Sequence, residues 1–161
     1  MHEKHISFVL TVYDNPEELP AHLKELLDIA EKSRFNAYAP YSHFRVGAAV
    51  LLDNNEIVIG NNQENASYPS GLCAERVAVF QAGARFPGIP IKAVAISAGS
   101  DRVKVGKPAA PCGNCRQAIS EYEQNQDNPI TIIMRGETGV VYRSDSMADL
   151  LPLSFGNSYL K

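Results

Sequence analysis

The sequence predicts an α/β domain with one central sheet and helices on both faces, and three observations carry that expectation. Strand-like apolar stretches take turns along the chain with stretches of helical periodicity, the pattern of a sheet layered between helices. Ile91 to Ala98 is a near-continuous apolar run, as a strand covered on both faces requires. The 161 residues hold no internal repeat, low-complexity tract or linker, so one domain over 1–161 with a sizeable core is expected.

The elements follow in order. Ile6 to Val12 alternates apolar and polar positions and reads as a short strand, and Asp14 to Glu18 as a turn. Pro20 suits the first turn of a helix, where its missing N–H is not needed. Leu23, Leu26, Leu27 and Ala30 then recur at helical spacing up to about Asn36. Ala39-Pro40-Tyr41-Ser42 breaks the chain. Arg45–Leu52 and Ile57–Asn61 read as two strands joined by the turn residues Asp53-Asn54-Asn55. After a loop over 62–72, a helix starts at about Cys73 with Val77, Phe80 and Ala84 on one face; Gly83 weakens it and Pro87-Gly88 stop it. The Ile91–Ala98 strand leads into a polar loop over 99–110. A helix follows Pro111, with Ile119 and Tyr122 facing inward. Ile130–Met134 and Val140–Arg143 read as strands, and Met147–Leu151 as a short helix ended by Pro152.

Composition narrows the function. The chain is 45% apolar and 20% charged, with a formal net charge of −3 and no basic run. Nucleic-acid binders owe most of their affinity to Lys and Arg on phosphates, so a small, weakly charged substrate is expected instead. No run approaches the roughly 18 apolar residues of a membrane helix. Met1-His2-Glu3-Lys4 lacks the features of a signal peptide, so the expected location is the cytoplasm. There are three cysteines, Cys73, Cys112 and Cys115. An odd count in a reducing compartment argues for metal ligands, catalytic groups or core thiols rather than a disulfide framework.

Two short motifs carry chemistry together. Pro111-Cys112-Gly113-Asn114-Cys115 alone is a C-x-x-C that binds zinc, runs redox chemistry or does nothing. Cys73-Ala74-Glu75 alone is a thiol beside a helix carboxylate. In combination they resemble the zinc-deaminase signature, a Cys or His, one residue, a Glu, then Pro-Cys-x-x-Cys. Three protein ligands leave a tetrahedral zinc one position for water. Both motifs fall at expected helix starts, where the helix dipole favours thiolate. Zinc-bound hydroxide would attack the carbon bearing the amine, with Glu75 shuttling protons to the ring nitrogen and the departing ammonia. Three thiolates on Zn²⁺ leave a formal −1, which opposes acidification of the water. Arg76, before Arg116, is the nominated donor to a thiolate that offsets it.

Beyond the motifs, the chain from about Asn36 onward resembles the small homotetrameric zinc-dependent cytidine deaminases. The likeness runs through Ala39-Pro40-Tyr41-Ser42-His43-Phe44-Arg45-Val46-Gly47-Ala48-Ala49, Asn62-Gln63-Glu64-Asn65-Ala66-Ser67-Tyr68-Pro69, Cys73-Ala74-Glu75-Arg76, Pro111 to Gln117, and Leu150-Leu151-Pro152-Leu153-Ser154-Phe155. It implies a three-layer α/β/α fold on a mixed five-stranded sheet. It implies hydrolysis of cytidine and 2′-deoxycytidine to the uridine compounds and ammonia, as in pyrimidine salvage, with one Zn²⁺ per subunit. It also assigns roles. Phe44 packs on the pyrimidine, Asn62 and Glu64 take the ribose hydroxyls, and the Ala74 N–H meets the base carbonyl. Glu75 also reads the base edge, Tyr68 lies at a subunit interface near the site, and Phe155 closes a neighbouring subunit's site. Residues 1–14 fall outside the likeness and offer an extra edge strand or a subunit contact.

Two other functions compete. One is a zinc deaminase of a related aminated nucleoside or nucleoside antibiotic, against which Asn62, Glu64 and Phe155 argue. The other is a structural zinc module, which would want a fourth ligand and no Glu75. His2, His5, His22 and His43 lie outside both motifs and are not expected to bind zinc.

Overall fold

The structure, a computed structural model, describes residues 1–160. Six strands form one mixed sheet: β1 (Thr11–Tyr13), β2 (Phe44–Leu52), β3 (Ile57–Asn61), β4 (Ile91–Ser100), β5 (Thr131–Arg135) and β6 (Val141–Ser144). Their order across the sheet is β1-β6-β5-β4-β2-β3. Only β4 and β5 run parallel; every other neighbouring pair is antiparallel. The expected five-stranded sheet is therefore present, with the N-terminal strand added at one edge.

That edge strand is shorter and later than Ile6 to Val12. Pairing covers only Thr11 to Tyr13, opposite Arg143 to Val141. β6 has four residues, so it offers few partners, and residues 1–10 carry neither helix nor strand.

Among the described residues, four α-helices complete the layers: α1 (Ala21–Arg34), α2 (Ala74–Arg85), α3 (Gly113–Gln124) and α4 (Met147–Leu150). On one face Leu23, Leu26, Leu27 and Ala30 of α1 pack on Ala49, Ala95, Ile133 and Val141. On the other, Ala74, Ala78 and Val79 of α2, Ile119 of α3 and Met147 of α4 pack on Ala48, Val50, Ile96 and Ile132. β4 lies between these layers and buries every residue from Ile91 to Gly99 except Lys92, as its composition predicts. Glu123 fixes α4 by accepting from the backbone N–H groups of Met147 (2.8 Å) and Ala148 (2.9 Å) and from the Ser146 hydroxyl (2.8 Å).

The predicted face of α2 is turned the other way. Its buried residues are Ala74, Glu75, Ala78, Val79 and Ala82, while Phe80 and Ala84 are exposed. The reason is steric. Gly60 of β3 lies so close that a Cβ there would stand 2.5 Å from the Ala74 carbonyl oxygen and 2.5 Å from the Ala78 nitrogen. Where α2 crosses Gly60, at Ala74 and Ala78, only small side chains fit at that separation.

Candidate functional site

The site lies at the end of the sheet where β4 and β3 finish and β2 begins: Phe44 pairs with Ser100, and Gly47 with Asn61. Cys73 and Cys112 are the N-cap residues of α2 and α3, both with extended backbone. Their carbonyls accept the first helical bonds, from Val77 N–H (3.1 Å) and Arg116 N–H (2.9 Å). Cys115 sits one turn into α3 and is buried. The two helix starts thus deliver three sulfurs to one place, all within 4.8 Å of one another. Sγ of Cys73 is 3.8 Å from that of Cys112, which is 3.5 Å from that of Cys115.

This spacing fits a metal ion. Ligands about 2.3 Å from a tetrahedral zinc stand about 3.8 Å apart, close to both separations from Cys112, and a three-thiol donor set suits zinc. The electrostatics agree. Donation from the Cys115 thiol outweighs burial at Cys73 and, with the Arg76 guanidinium, draws its pKa down to about 5. Cys115 is pushed up, because it donates to Cys73 and is desolvated.

Glu75 is 4% exposed, and burial holds its carboxyl above the usual carboxylate range, with the charge on Cys73 adding to the effect. A carboxyl so tuned carries a proton near neutral pH more readily than a free one. Arg76 places Nη2 3.9 Å from Cys73 Sγ, and its Nε is buried without a hydrogen-bond partner among the described residues. Arg116 is otherwise engaged: Nε donates to the Pro111 carbonyl (2.8 Å) and Nη1 to that of Leu150 (2.7 Å).

Beside Cys73 and Arg76 opens a cavity of about 430 Å³ whose lining includes Tyr41, Ser42, Asn62, Glu64, Tyr68 and Leu72. The 62–64 segment is strapped between Tyr38 and Leu72: Tyr38 N–H donates to the Asn62 carbonyl, and Gln63 and Leu72 exchange both backbone bonds. Asn62 accepts from Val46 N–H (2.8 Å) and donates to the Phe44 carbonyl (2.9 Å). That leaves one N–H and one lone pair of its amide free. Glu64 accepts from Tyr41 N–H (2.9 Å), Ser42 N–H (3.2 Å) and the Ser42 hydroxyl.

Of the residues singled out from sequence, Asn62, Glu64, Tyr68, Cys73 and Arg76 line this cavity; Phe44, Ala74, Glu75, Cys112, Cys115 and Phe155 are outside its lining. Tyr68 is 75% exposed and tilted against Tyr41, with ring centroids 6.1 Å apart. Phe155 lies along α3: Gln117 donates to its carbonyl (2.9 Å), and its ring, 58% exposed, stacks on Tyr159 at 5.4 Å. Sequence reasoning passed over Tyr41 and Ser42, which Pro40 and the following polar residue marked only as a turn. It also passed over Gly60, whose role is visible only with α2 in place.

Comparison with known proteins agrees with this geometry. Residues 20–127 match the family model described as the cytidine and deoxycytidylate deaminase zinc-binding region. A cytidine deaminase of Sporosarcina psychrophila is 36% identical over 142 residues, 86% of this chain and 94% of that protein. One from Mycobacterium tuberculosis is 37% identical over 130 residues, 79% of this chain and 84% of that one. Among solved structures, cytidine deaminase from Burkholderia pseudomallei superposes with a TM-score of 0.72 at 36% identity, covering 85% of this chain and 100% of the other. The Mycobacterium tuberculosis enzyme gives 0.65 at 32% identity, covering 85% and 99%. The thiol triangle, the buried glutamate and these matches lead to one assignment: the chain belongs to the cytidine and deoxycytidylate deaminase zinc-binding family.

Proposed function

We propose that this chain, acting as a single domain, hydrolyses cytidine and 2′-deoxycytidine to uridine and 2′-deoxyuridine with release of ammonia. The observation that carries the reading is a zinc-sized triangle of three sulfurs with the Glu75 carboxyl buried beside it. Cys73, Cys112 and Cys115 would hold a zinc ion, which would supply an acidified water as the nucleophile.

The chain's residues supply the rest. Glu75 takes one proton from the attacking water at its carboxylate and delivers it to N3 of the pyrimidine; it then takes the second proton from the C4 hydroxyl and gives it to the amine, so that C4–N breaks as the C4 carbonyl forms. Its raised pKa suits it to hold that proton between steps. The Ala74 N–H, at the start of α2, would bind the base carbonyl. The Phe44 ring offers the base an aromatic face. Glu64 has three of about four acceptor positions filled by the 41–42 turn and one left for a sugar hydroxyl. The free N–H of Asn62 complements it. Arg76 offsets the excess negative charge of the thiolates.

One zinc per subunit is part of this reading, and the single Cys73–Cys112–Cys115 cluster found among the described residues supports it. The exposed Tyr68, Phe80 and Phe155 support a homotetramer in which a neighbour's Phe155 covers each site. A cytoplasmic place in pyrimidine salvage belongs to the same reading; among the described residues no helix is long and apolar enough to cross a membrane. Incubation of the purified, zinc-loaded protein with cytidine should yield uridine, and a zinc chelator should abolish it. Zinc binding without turnover of either nucleoside would overturn the proposal.

A further inference from the structure

Glu64 is held by a short turn rather than by its own loop. Tyr41 and Ser42 aim consecutive backbone N–H groups at Oε2, and the Ser42 hydroxyl donates to Oε1. That hydroxyl accepts in turn from Phe44 N–H at 3.0 Å; the Phe44 carbonyl is 3.5 Å away, so its single proton goes to the nearer Glu64 oxygen. The turn closes through His43 N–H on the Ala39 carbonyl (3.1 Å), and the His43 carbonyl accepts from Asp101 N–H (3.0 Å).

To make this closure, His43 adopts φ +56°, the left-handed region that non-glycine residues rarely enter and that clusters at functional sites. Arg45 braces the other side, with Nε 3.0 Å from both carboxylate oxygens of Asp101. Burial acts to raise the Glu64 pKa, and the Ser42 hydroxyl with the two N–H groups outweighs it, so the carboxyl stays ionised. None of these hydrogen bonds involves Cys73, Cys112, Cys115 or Glu75.

We infer that Ser42 and the left-handed turn at His43 are positioning elements for sugar recognition: they orient Glu64 so that its one remaining acceptor position faces the cavity. The inference rests on the proposed nucleoside reaction. A clamp of this kind acts on substrate affinity and leaves the chemistry at the base alone. Ser42→Ala removes a hydrogen bond to a charged acceptor, a loss on the order of ten-fold in affinity.

The test is steady-state kinetics of the full-length, zinc-loaded protein on cytidine and on 2′,3′-dideoxycytidine, which lacks both ring hydroxyls, with zinc content measured alongside. Ser42→Ala should raise KM for cytidine on the order of ten-fold, with kcat, zinc content and the dideoxycytidine KM unchanged. Ser42→Thr should restore the parent value. His43→Gly, free to adopt positive φ, should behave as the parent, and His43→Val, β-branched and strained there, as Ser42→Ala. An unchanged cytidine KM in Ser42→Ala, or an equal rise for both nucleosides, overturns the inference. Should Ser42→Ala fail to fold, the two His43 variants decide by the same split. A parent protein that turns over neither nucleoside overturns the proposed function instead.

Discussion

Gly60→Ala tests whether the packing of α2 on β3 sets the metal triangle. The added Cβ would stand 2.5 Å from the Ala74 carbonyl oxygen, 2.5 Å from the Ala78 nitrogen and 3.0 Å from the Ala78 Cα. All three are backbone atoms, so no side-chain rotation relieves the contact. Relief to an ordinary separation moves α2 by about 1 Å. Overpacking of this kind costs about 1–3 kcal/mol, and a domain of this size loses about 2–4 °C in melting temperature per kcal/mol. The larger effect falls on zinc. Cys73 directly precedes Ala74, so its sulfur moves with the helix, whereas zinc–ligand distances tolerate only about 0.2 Å. Zinc affinity, read by competition with a chromophoric chelator, should fall at least about ten-fold. Gly47→Ala is the control. Its Cβ would stand 2.0 Å from the Ala30 carbonyl oxygen and 2.5 Å from the Arg34 nitrogen, forcing α1 off the opposite face. It should lower the melting temperature as much or more while leaving zinc affinity within about two-fold. If Gly60→Ala melts lower yet binds zinc as tightly as the parent, the approach of α2 to β3 does not place Cys73.

Glu75→Gln keeps the shape of the side chain and removes its proton transfer; cytidine turnover should fall by about 10²–10⁴-fold with zinc content unchanged, and retained turnover would remove Glu75 from the reaction. Arg76→Gln takes away the guanidinium that reaches Cys73. The pH of half-maximal activity should then rise by on the order of one unit with zinc still bound, and an unshifted profile would discard the charge-offset role. Glu64 has a folded pKa below its ordinary 4.5, so its ionised form stabilises the fold at neutral pH. That contribution is lost as pH falls through the lowered value. Urea melts should therefore show the parent more stable than Glu64→Gln at neutral pH, with the gap closing in acid. A gap that persists or widens in acid would contradict the clamp on Glu64.

Much of the fold was legible because its signals are local. Asp53-Asn54-Asn55 announces the β2–β3 turn, and Asn55 indeed takes positive φ. The apolar run of β4, the α1 periodicity and the stop at Pro152 are equally self-contained. The thiol triangle was legible for another reason: few arrangements other than a metal site call for those residue types together. Contacts that depend on long-range placement were not. The Ser42–Glu64 clamp spans 22 residues, and nothing in Tyr41-Ser42 identifies a carboxylate partner. The use of Arg116 on the Leu150 carbonyl requires α4 to be docked on α3 first.

The orientation of α2 joins these two kinds of information. A reading weighted by side-chain size turns Val77, Phe80 and Ala84 inward, since large apolar groups gain most from burial. The structure spends that face outward, leaving Phe80 45% exposed, and buries Ala74, Ala78 and Ala82 instead. The exchange is forced by the site. Cys73 meets Cys112 and Cys115 only if α2 lies against β3 at Gly60 and against α3 at Gly83, where a Cβ would stand 2.5 Å from the Tyr122 hydroxyl oxygen. A Val or Phe in the Ala78 or Ala82 position would lift the helix and carry Cys73 away from the other two thiols. The small-residue seam is thus what lets the three thiols meet.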